Sequence, residues 1–502
     1  MLNLGGIETK RINDIVNRGA ERLNDIQFLE RELRAFLASH ERYAMIDGDR
    51  YYDYEQFIKL KKRMVIGADG DLTEDKNLPN HRLTDNQYGY MVDQKVNYLL
   101  AKPLTFKTEN TAYEDALKQV FNKQFHKILK NIGKDSYNGG IGWIYPYYNE
   151  NGEFKFKRFK PWEVLPFWKD DEHTELDFAV RVYEQIGYKG SERVVYTFVE
   201  VYDTKGIHVF EYDRKTYTLT PDYATYYFEM PDLNEGDEEI IGYNWNRVPL
   251  IPFKANNYET PLLKKCKSLQ DAINHILSSF VDGMEENASG NTIIVIKNYD
   301  GENLGEFRRN LTQYKAVKVR TIDGADGGID SLQIEVNCEN YKAILTELRK
   351  AVIRNCRGYD VEELKSNGSP NEMTIKSVYS DIDLDANEIE TEYQASFEQL
   401  LWFVNQHLIT TGVGDFTNED VEIIFNRDMM VNESQIIADI NASSNILSRK
   451  TLIANHPYVS DVDAELKQID EETQESMETY GFPYGDGEQS ENKPQGGDVN
   501  EK

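Results

Sequence analysis

Cysteine is scarce in this 502-residue chain: Cys266, Cys338 and Cys356 are the only three, and none has CxxC spacing. Each falls in a stretch with helical periodicity, so neither a disulfide framework nor a cysteine zinc site is expected. No run of eighteen apolar residues occurs, which argues against a transmembrane helix. The opening MLNLGGIETKR lacks the basic-then-apolar pattern of a secretory signal. Positive charge is also short. Lys and Arg number 57 against 87 Asp and Glu, a formal net charge of −30. A chain so acidic repels duplex DNA and acidic membranes unless it carries a local basic patch, which argues against sequence-specific DNA binding.

Catalytic signatures are missing too. There is no GxxxxGK[ST], HExxH or GxSxG. The glycines of Asn138–Gly142 do not spell GxGxxG, and an apolar strand from Trp143 follows them where a helix would be needed. The eight histidines, His40, His81, His126, His173, His208, His275, His407 and His456, are scattered singly. Acidic pairs are so common that a two-carboxylate hydrolase gains no specific support. Asp323–Asp330 alternates acids with glycines. Ala325 stands at position three, however, and Ile334 at position twelve, where a calcium loop needs glutamate, so a tight polar turn is expected. No catalytic residue, metal ligand or cofactor is expected.

What is present is ample apolar material, 40% of residues with 12% aromatic, enough for packed cores and about three domain-sized units. Apolar residues recur every three or four positions over 11–66, 84–101, 111–132, 259–287, 339–356, 372–411 and 432–480, predicting helices. Ser448 is placed to cap a short helix before Pro457. The basic cluster Lys59, Lys61, Lys62 and Arg63 reads as a solvated helix face. Between 143 and 255 the period shortens to two, with strands expected at 162–168, 177–188, 193–203, 206–213 and 215–220. Further strands are expected at Ile293–Lys297, Ala316–Thr321, Ser331–Val336 and Val421–Phe425, with a short helix at 304–313. The helix over 372–411 is a rod of about 60 Å at ~1.5 Å per residue. Residues 358–371, with Gly358, Gly368 and Pro370, read as a mobile loop. Residues 481–502 read as a disordered acidic tail. The fold class is α+β.

The helices 259–287 and 339–356 flank a small β module, and neither covers its apolar stripe alone. A ring subunit with a protruding module fits this order, beside the plainer reading of a multidomain α+β protein with an insertion.

Five segments in order carry a resemblance over about 40–480. They are Asp93–Phe106 (DQKVNYLLAKPLTF), Phe178–Tyr183 (FAVRVY), Arg247–Phe253 (RVPLIPF), Lys297–Asn303 (KNYDGEN) and Gly414–Phe416 (GDF). In these the chain resembles the portal proteins of tailed double-stranded DNA bacteriophages, of the siphophage type of Gram-positive hosts. The resemblance implies a portal fold with wing, stem, clip and crown, in a ring of about twelve copies with a long tunnel helix. It assigns 1–257 with 412–431 to the wing, 258–288 and 338–357 to the stem helices and 289–337 to the clip. It assigns 358–371 to the tunnel loop, 372–411 to the tunnel helix and 432–480 to a helical crown.

The implied function is the portal at one capsid vertex of the virion, assembled in the host cytoplasm, through which DNA is packaged and ejected. Implied partners are the terminase large subunit, a head-completion adaptor, the major capsid and scaffold proteins, and double-stranded DNA that passes without sequence specificity. No membrane is involved. A non-conducting adaptor or scaffold ring at the head–tail junction is the alternative.

On this mapping Glu362, Glu363, Lys365, Asn367, Lys376, Asp381, Asp385 and Glu388 face the DNA channel. Residues 372–398 carry eight acids and one base, a wall that repels phosphate and lets DNA slide. Lys297, Asn298, Tyr299, Asp300, Glu302, Arg308 and Arg309 are the expected docking residues of the clip. With six bases and seven acids over 291–337, that module suits protein partners better than DNA.

Overall fold

The computed structural model describes residues 26–66, 70–231, 240–288, 293–297, 303–314, 316, 318–320, 328–332, 338–360, 372–427, 433–459 and 462–479. The chain divides into two compact units, 1–366 with 377–429, and 367–376 with 430–502. Both helices and antiparallel sheets are present, in agreement with the α+β expectation.

In the first unit the helices are α1 (Ile26–Leu37), α2 (His40–Tyr52), α3 (Gln87–Leu100), α4 (Thr111–Val120), α5 (Lys123–Gly139), α6 (Lys267–Ala288), α7 (Leu304–Tyr314) and α8 (Cys338–Asn355). Helix α9 (Glu372–Thr410) begins in the second unit and continues into the first. The expected helix over 111–132 is two helices. Asn122 interrupts it, because its side chain accepts the N–H groups of Gln124 and Phe125 and so starts α5. Likewise 259–287 is a 3-10 turn, Leu262–Lys265, followed by α6. The break falls at Cys266, whose φ of −138° is not helical.

Strands β1 (Met64–Ile66) and β2 (Leu72–Glu74) form a two-stranded ribbon. Strand β3 (Thr105–Lys107) pairs with β16 (Glu422–Ile424). Strands β4 (Ile141–Tyr148), β5 (Phe154–Phe159) and β13 (Ile251–Lys254) make a sheet in the order β13-β4-β5. Strands β6 (Val164–Trp168), β7 (Leu176–Lys189), β8 (Glu192–Asp203), β9 (Gly206–Asp213) and β10 (Thr218–Thr225) make a meander in the order β10-β9-β8-β7-β6. Strands β11 (Phe228–Pro231) and β12 (Ile240–Tyr243) pair together, as do β14 (Ile293–Lys297) and β15 (Gly328–Leu332). The polar turn expected over 323–330 therefore yields to strand from Gly328. Of the strand expected over 316–321, a single bridge residue at Val319 is present among the described residues.

Period two decides which face of the meander is buried. Phe178, Val180 and Val182 of β7 and Val199 and Val201 of β8 point to one side, where Leu29 and Leu33 of α1 close over them. A second core forms where α9 crosses the β13-β4-β5 sheet. Ile382, Ala386, Ile389, Tyr393, Phe397, Leu400, Val404 and Leu408 are all buried, stepping by three or four. Phe397 meets Phe106, Phe121, Phe125 and Phe253, with ring centroids 5.5–6.3 Å apart. Each fully buried ring among them contributes about 1.5–3 kcal/mol of transfer free energy, and Phe121, half-buried, less. Helix α5 ends at Gly140, with φ +84°, and a Cβ there would lie 1.9 Å from the Glu259 carbonyl oxygen. Glycine is therefore required on two counts.

The second unit holds α10 (Glu433–Ser443), α11 (Arg449–Ala454) and α12 (Val462–Thr479). Ser448 caps α11 as expected, accepting the Thr451 N–H. The tail 481–502 and the loop residues 361–371 lie outside the described residues.

Candidate functional site

The two helices with apolar stripes, α6 and α8, pack on each other, and α8 also touches α3. Their ends nearest the sheets are sealed: Leu262, Leu263, Cys266, Ile273, Val352 and Cys356 are buried. Their far ends are open. Met284 and Ile344 are exposed, while Leu277, Phe280, Tyr341 and Leu345 line a cavity of about 780 Å³ between α3, α6 and α8. The uncovered stripe expected from the sequence is thus confined to the distal half of the pair.

Sequence periodicity missed the other face of α6, which is polar and buried. Gln270, Asn274, Ser278 and Asp282 recur every four residues, and each is fully covered. They hold the extended segment that enters α3. Asp282 accepts the His81 N–H (2.7 Å), Ser278 the Leu83 N–H (3.0 Å) and Asn274 the Asp85 N–H (2.9 Å). Gln270 accepts the Tyr88 N–H (2.9 Å) and donates to the Asp85 carbonyl (2.7 Å). Lys61 closes the far end on Asp282 at 2.6 Å. The cluster 59–63 is therefore not a solvated helix face: it spans a 3-10 turn and coil, and Lys61 is an anchor. Burial raises the Asp282 pKa, but the His81 N–H, Lys61 and the His81 ring outweigh it and hold the carboxyl below its ordinary range.

The acids of α9 fall into two groups. Asp381 and Glu388 are exposed. Asp385 is not: it is buried 2.7 Å from Lys95 Nζ, which is fully enclosed, and it accepts the Tyr137 hydroxyl at 2.9 Å. Its charge is satisfied inside the subunit, which corrects its expected place on the wall. Desolvation lowers the Lys95 pKa, with Asp385 pulling it back. Arg427 bridges Asp383 (3.0 Å) and Glu390 (2.7 Å), and Tyr98 donates to the same Asp383. Burial lowers the Arg427 pKa, yet Glu390 and Asp383 together hold it above its ordinary value. Glu388 meets Arg357 at 3.3 Å. The acidity counted along the sequence is therefore partly neutralised by Lys95, Arg357 and Arg427, which lie far away in the chain.

Lys376 is exposed on α9 in the second unit. Glu362, Glu363, Lys365 and Asn367 lie outside the described residues, as do Asn298, Tyr299, Asp300 and Glu302. Lys297 is exposed at the end of β14, paired in register with Gly328. Arg308 and Arg309 both belong to α7, where Arg309 is exposed and Phe307 is buried. Among the described residues no group of three or more His, Cys, Asp or Glu side chains is placed to hold a metal ion. No helix among them is long and apolar enough to cross a membrane.

These features are structural surfaces: paired helices with an open distal groove, a polar strap and a long helix that is only partly acidic. Residues 38–479 match the family described as phage portal protein, SPP1 Gp6-like, and the chain belongs to that family. It is 29% identical to a protein named Portal protein from Bacillus phage SPP1, over 95% of this chain and 93% of that one. A second Portal protein, from Clostridium phage phiCD119, is 25% identical over 86% of this chain and 93% of its own length. A chain of a solved structure titled "Virion of native gene transfer agent (GTA) particle" aligns over 79% of this chain and 90% of its own, at 10% identity and a TM-score of 0.29. That score is too low to bear on the fold.

Proposed function

We propose that the chain is the subunit of a portal ring at one capsid vertex, through which double-stranded DNA is packaged and ejected. The observation that carries this is the family match across 38–479, nearly the whole chain. Residues 1–257 with 412–431 serve as wing, 258–288 and 338–357 as stem, 289–337 as clip, 358–371 as tunnel loop, 372–411 as tunnel helix and 432–480 as crown. The compact unit containing residues 430–502 supports a separate crown. The open distal groove of α6 and α8 supports a cyclic assembly, of about twelve copies on the family's pattern.

In this reading Asp381 and Glu388 face passing DNA, together with Lys376 and the loop residues Glu362, Glu363, Lys365 and Asn367. The acids repel phosphate, and the two lysines make only transient contacts, so DNA slides without being held. The clip, with Lys297, Asn298, Tyr299, Asp300, Glu302, Arg308 and Arg309, docks the terminase large subunit and later the head-completion adaptor. The ring sits among the major capsid and scaffold proteins.

The test is negative-stain microscopy of the purified protein. Rings with an axial hole are expected, and a monomer at every micromolar concentration overturns the reading. Reversing Glu362 and Glu363 to Lys then tests whether the tunnel loop faces the DNA. The portal reading expects shortened packaged DNA at low salt, and full-length DNA would remove these residues from the channel.

A further inference from the structure

Two apolar features of the first unit lack a covering partner within the described residues. The first is the β1–β2 ribbon, three residue pairs long from Met64↔Glu74 to Ile66↔Leu72. Ile66 is 76% exposed, Leu72 68% and the neighbouring Leu60 67%. A free two-stranded ribbon is marginal in water, and one that shows solvent its aliphatic side chains is more so. The second is the groove lined by Leu277, Phe280, Tyr341 and Leu345. On its α8 side stand Lys342 and Lys350, eight residues apart on one helix face and both exposed.

Charge matches the two. At the ribbon's base Lys62 lies 3.7 Å from Glu74, so those charges offset each other. At the outer end, next to Leu72, stands exposed Asp71. The ribbon therefore offers aliphatic side chains beside an acid, and the groove an apolar floor beside Lys342 and Lys350; its other charged lining residues are Asp360 and Arg349, the latter paired with Asp85 at 2.8 Å.

Placement matches as well. The residues leading into the ribbon are fixed to the polar face of α6, through Lys61 on Asp282 and Asn80 on the Lys61 carbonyl. The groove opens on a different face of α6, that of Leu277 and Phe280. One subunit thus carries a projection and a recess on two separate faces. A heterologous contact that closes into a ring requires that arrangement, whereas a two-fold dimer uses one face twice.

We propose that the β1–β2 ribbon of one copy seats in the α6–α8 groove of the next. Ile66 and Leu72 pack on Phe280, Tyr341 and Leu345, and Asp71 faces Lys342 and Lys350. This rests on the ring reading above and names the surfaces that build the ring.

The full-length chain is examined by sedimentation velocity and negative stain. Asp71→Lys is expected to lower the ring fraction about tenfold, as is the pair Lys342→Glu with Lys350→Glu. Combining the three is expected to restore rings. Single reversals that assemble like the parent overturn the pairing, as does a combination that fails to recover.

Should a reversal disturb folding, a second measurement decides. Cys338 is an exposed thiol lining the same groove. A Leu72→Cys variant treated with a mild thiol oxidant is expected to give a ladder of linked subunits that vanishes on adding Cys338→Ser. No ladder overturns the proposal. A parent chain that never leaves the monomer removes the ring reading itself, a result visible before any variant is made.

Discussion

Lys95 and Asp385 form an ion pair of 2.7 Å closed off from solvent, joining α3 to α9 across 290 positions of sequence. Removing one partner strands the other charge. Asp385→Ala is expected to cost about 3–5 kcal/mol, whereas Lys95→Met with Asp385→Leu should cost clearly less, because no lone charge remains. Thermal unfolding of the three proteins checks this, and equal losses for single and double variants would contradict it.

Asn274 is the central rung of the polar strap, holding the Asp85 N–H and bonding Gln56 and Gln270. Asn274→Ala leaves the Asp85 N–H and the Gln56 side-chain oxygen without this partner, while Gln270 keeps its bond to the Asp85 carbonyl. A loss of about 1–3 kcal/mol per orphaned group is expected. Limited proteolysis should show earlier cleavage between His81 and Asp85 than in the parent.

Asp135 is buried on α5, 3.2 Å from Arg158 of β5 and 3.9 Å from Lys160. Burial outweighs both cations and pushes its pKa up to about 7. The folded chain therefore holds a proton that the unfolded chain releases near pH 4. Its contribution to stability is complete below the unfolded value and is lost as pH rises through about 7. Asp135→Asn should remove this slope, so the variant gains on the parent between pH 5 and pH 8 in urea titrations. A constant difference across that range would rule the account out.

Gly140→Ala meets both a left-handed backbone and the Glu259 carbonyl 1.9 Å away. A loss above about 2 kcal/mol is expected, because the obstacle is backbone and cannot rotate aside. Unchanged melting would mean that the α5 terminus adapts.

Much of the fold was legible because it follows from periodicity. Helix α9 emerges within a residue of its expected limits, and β7 to β9 nearly so, since apolar period alone defines them. Asn122 was passed over because a cap in mid-run looks like any polar residue on a helix face. The strap was legible in principle, in the four-residue spacing of Gln270, Asn274, Ser278 and Asp282. Polar residues at that spacing ordinarily mark a solvated face, and only the tertiary fold shows them covered. Asp385 could not be told from Asp381 by sequence: two acids four residues apart on one helix differ here only in whether Lys95 stands opposite.

The strap also behaves as a vernier. Four residues of helix advance about 6.0 Å, while two residues of extended chain advance about 6.6–6.8 Å. Successive rungs at Asp282–His81, Ser278–Leu83 and Asn274–Asp85 thus fall out of step by about 0.7 Å each, on the same two repeats. Side-chain reach takes up that drift, since the three rungs stay at 2.7, 3.0 and 2.9 Å. The last rung, Gln270 to Tyr88, is reached only after the strap has become the first turn of α3. The start of α3 at Gln87 thus sets where the strap ends.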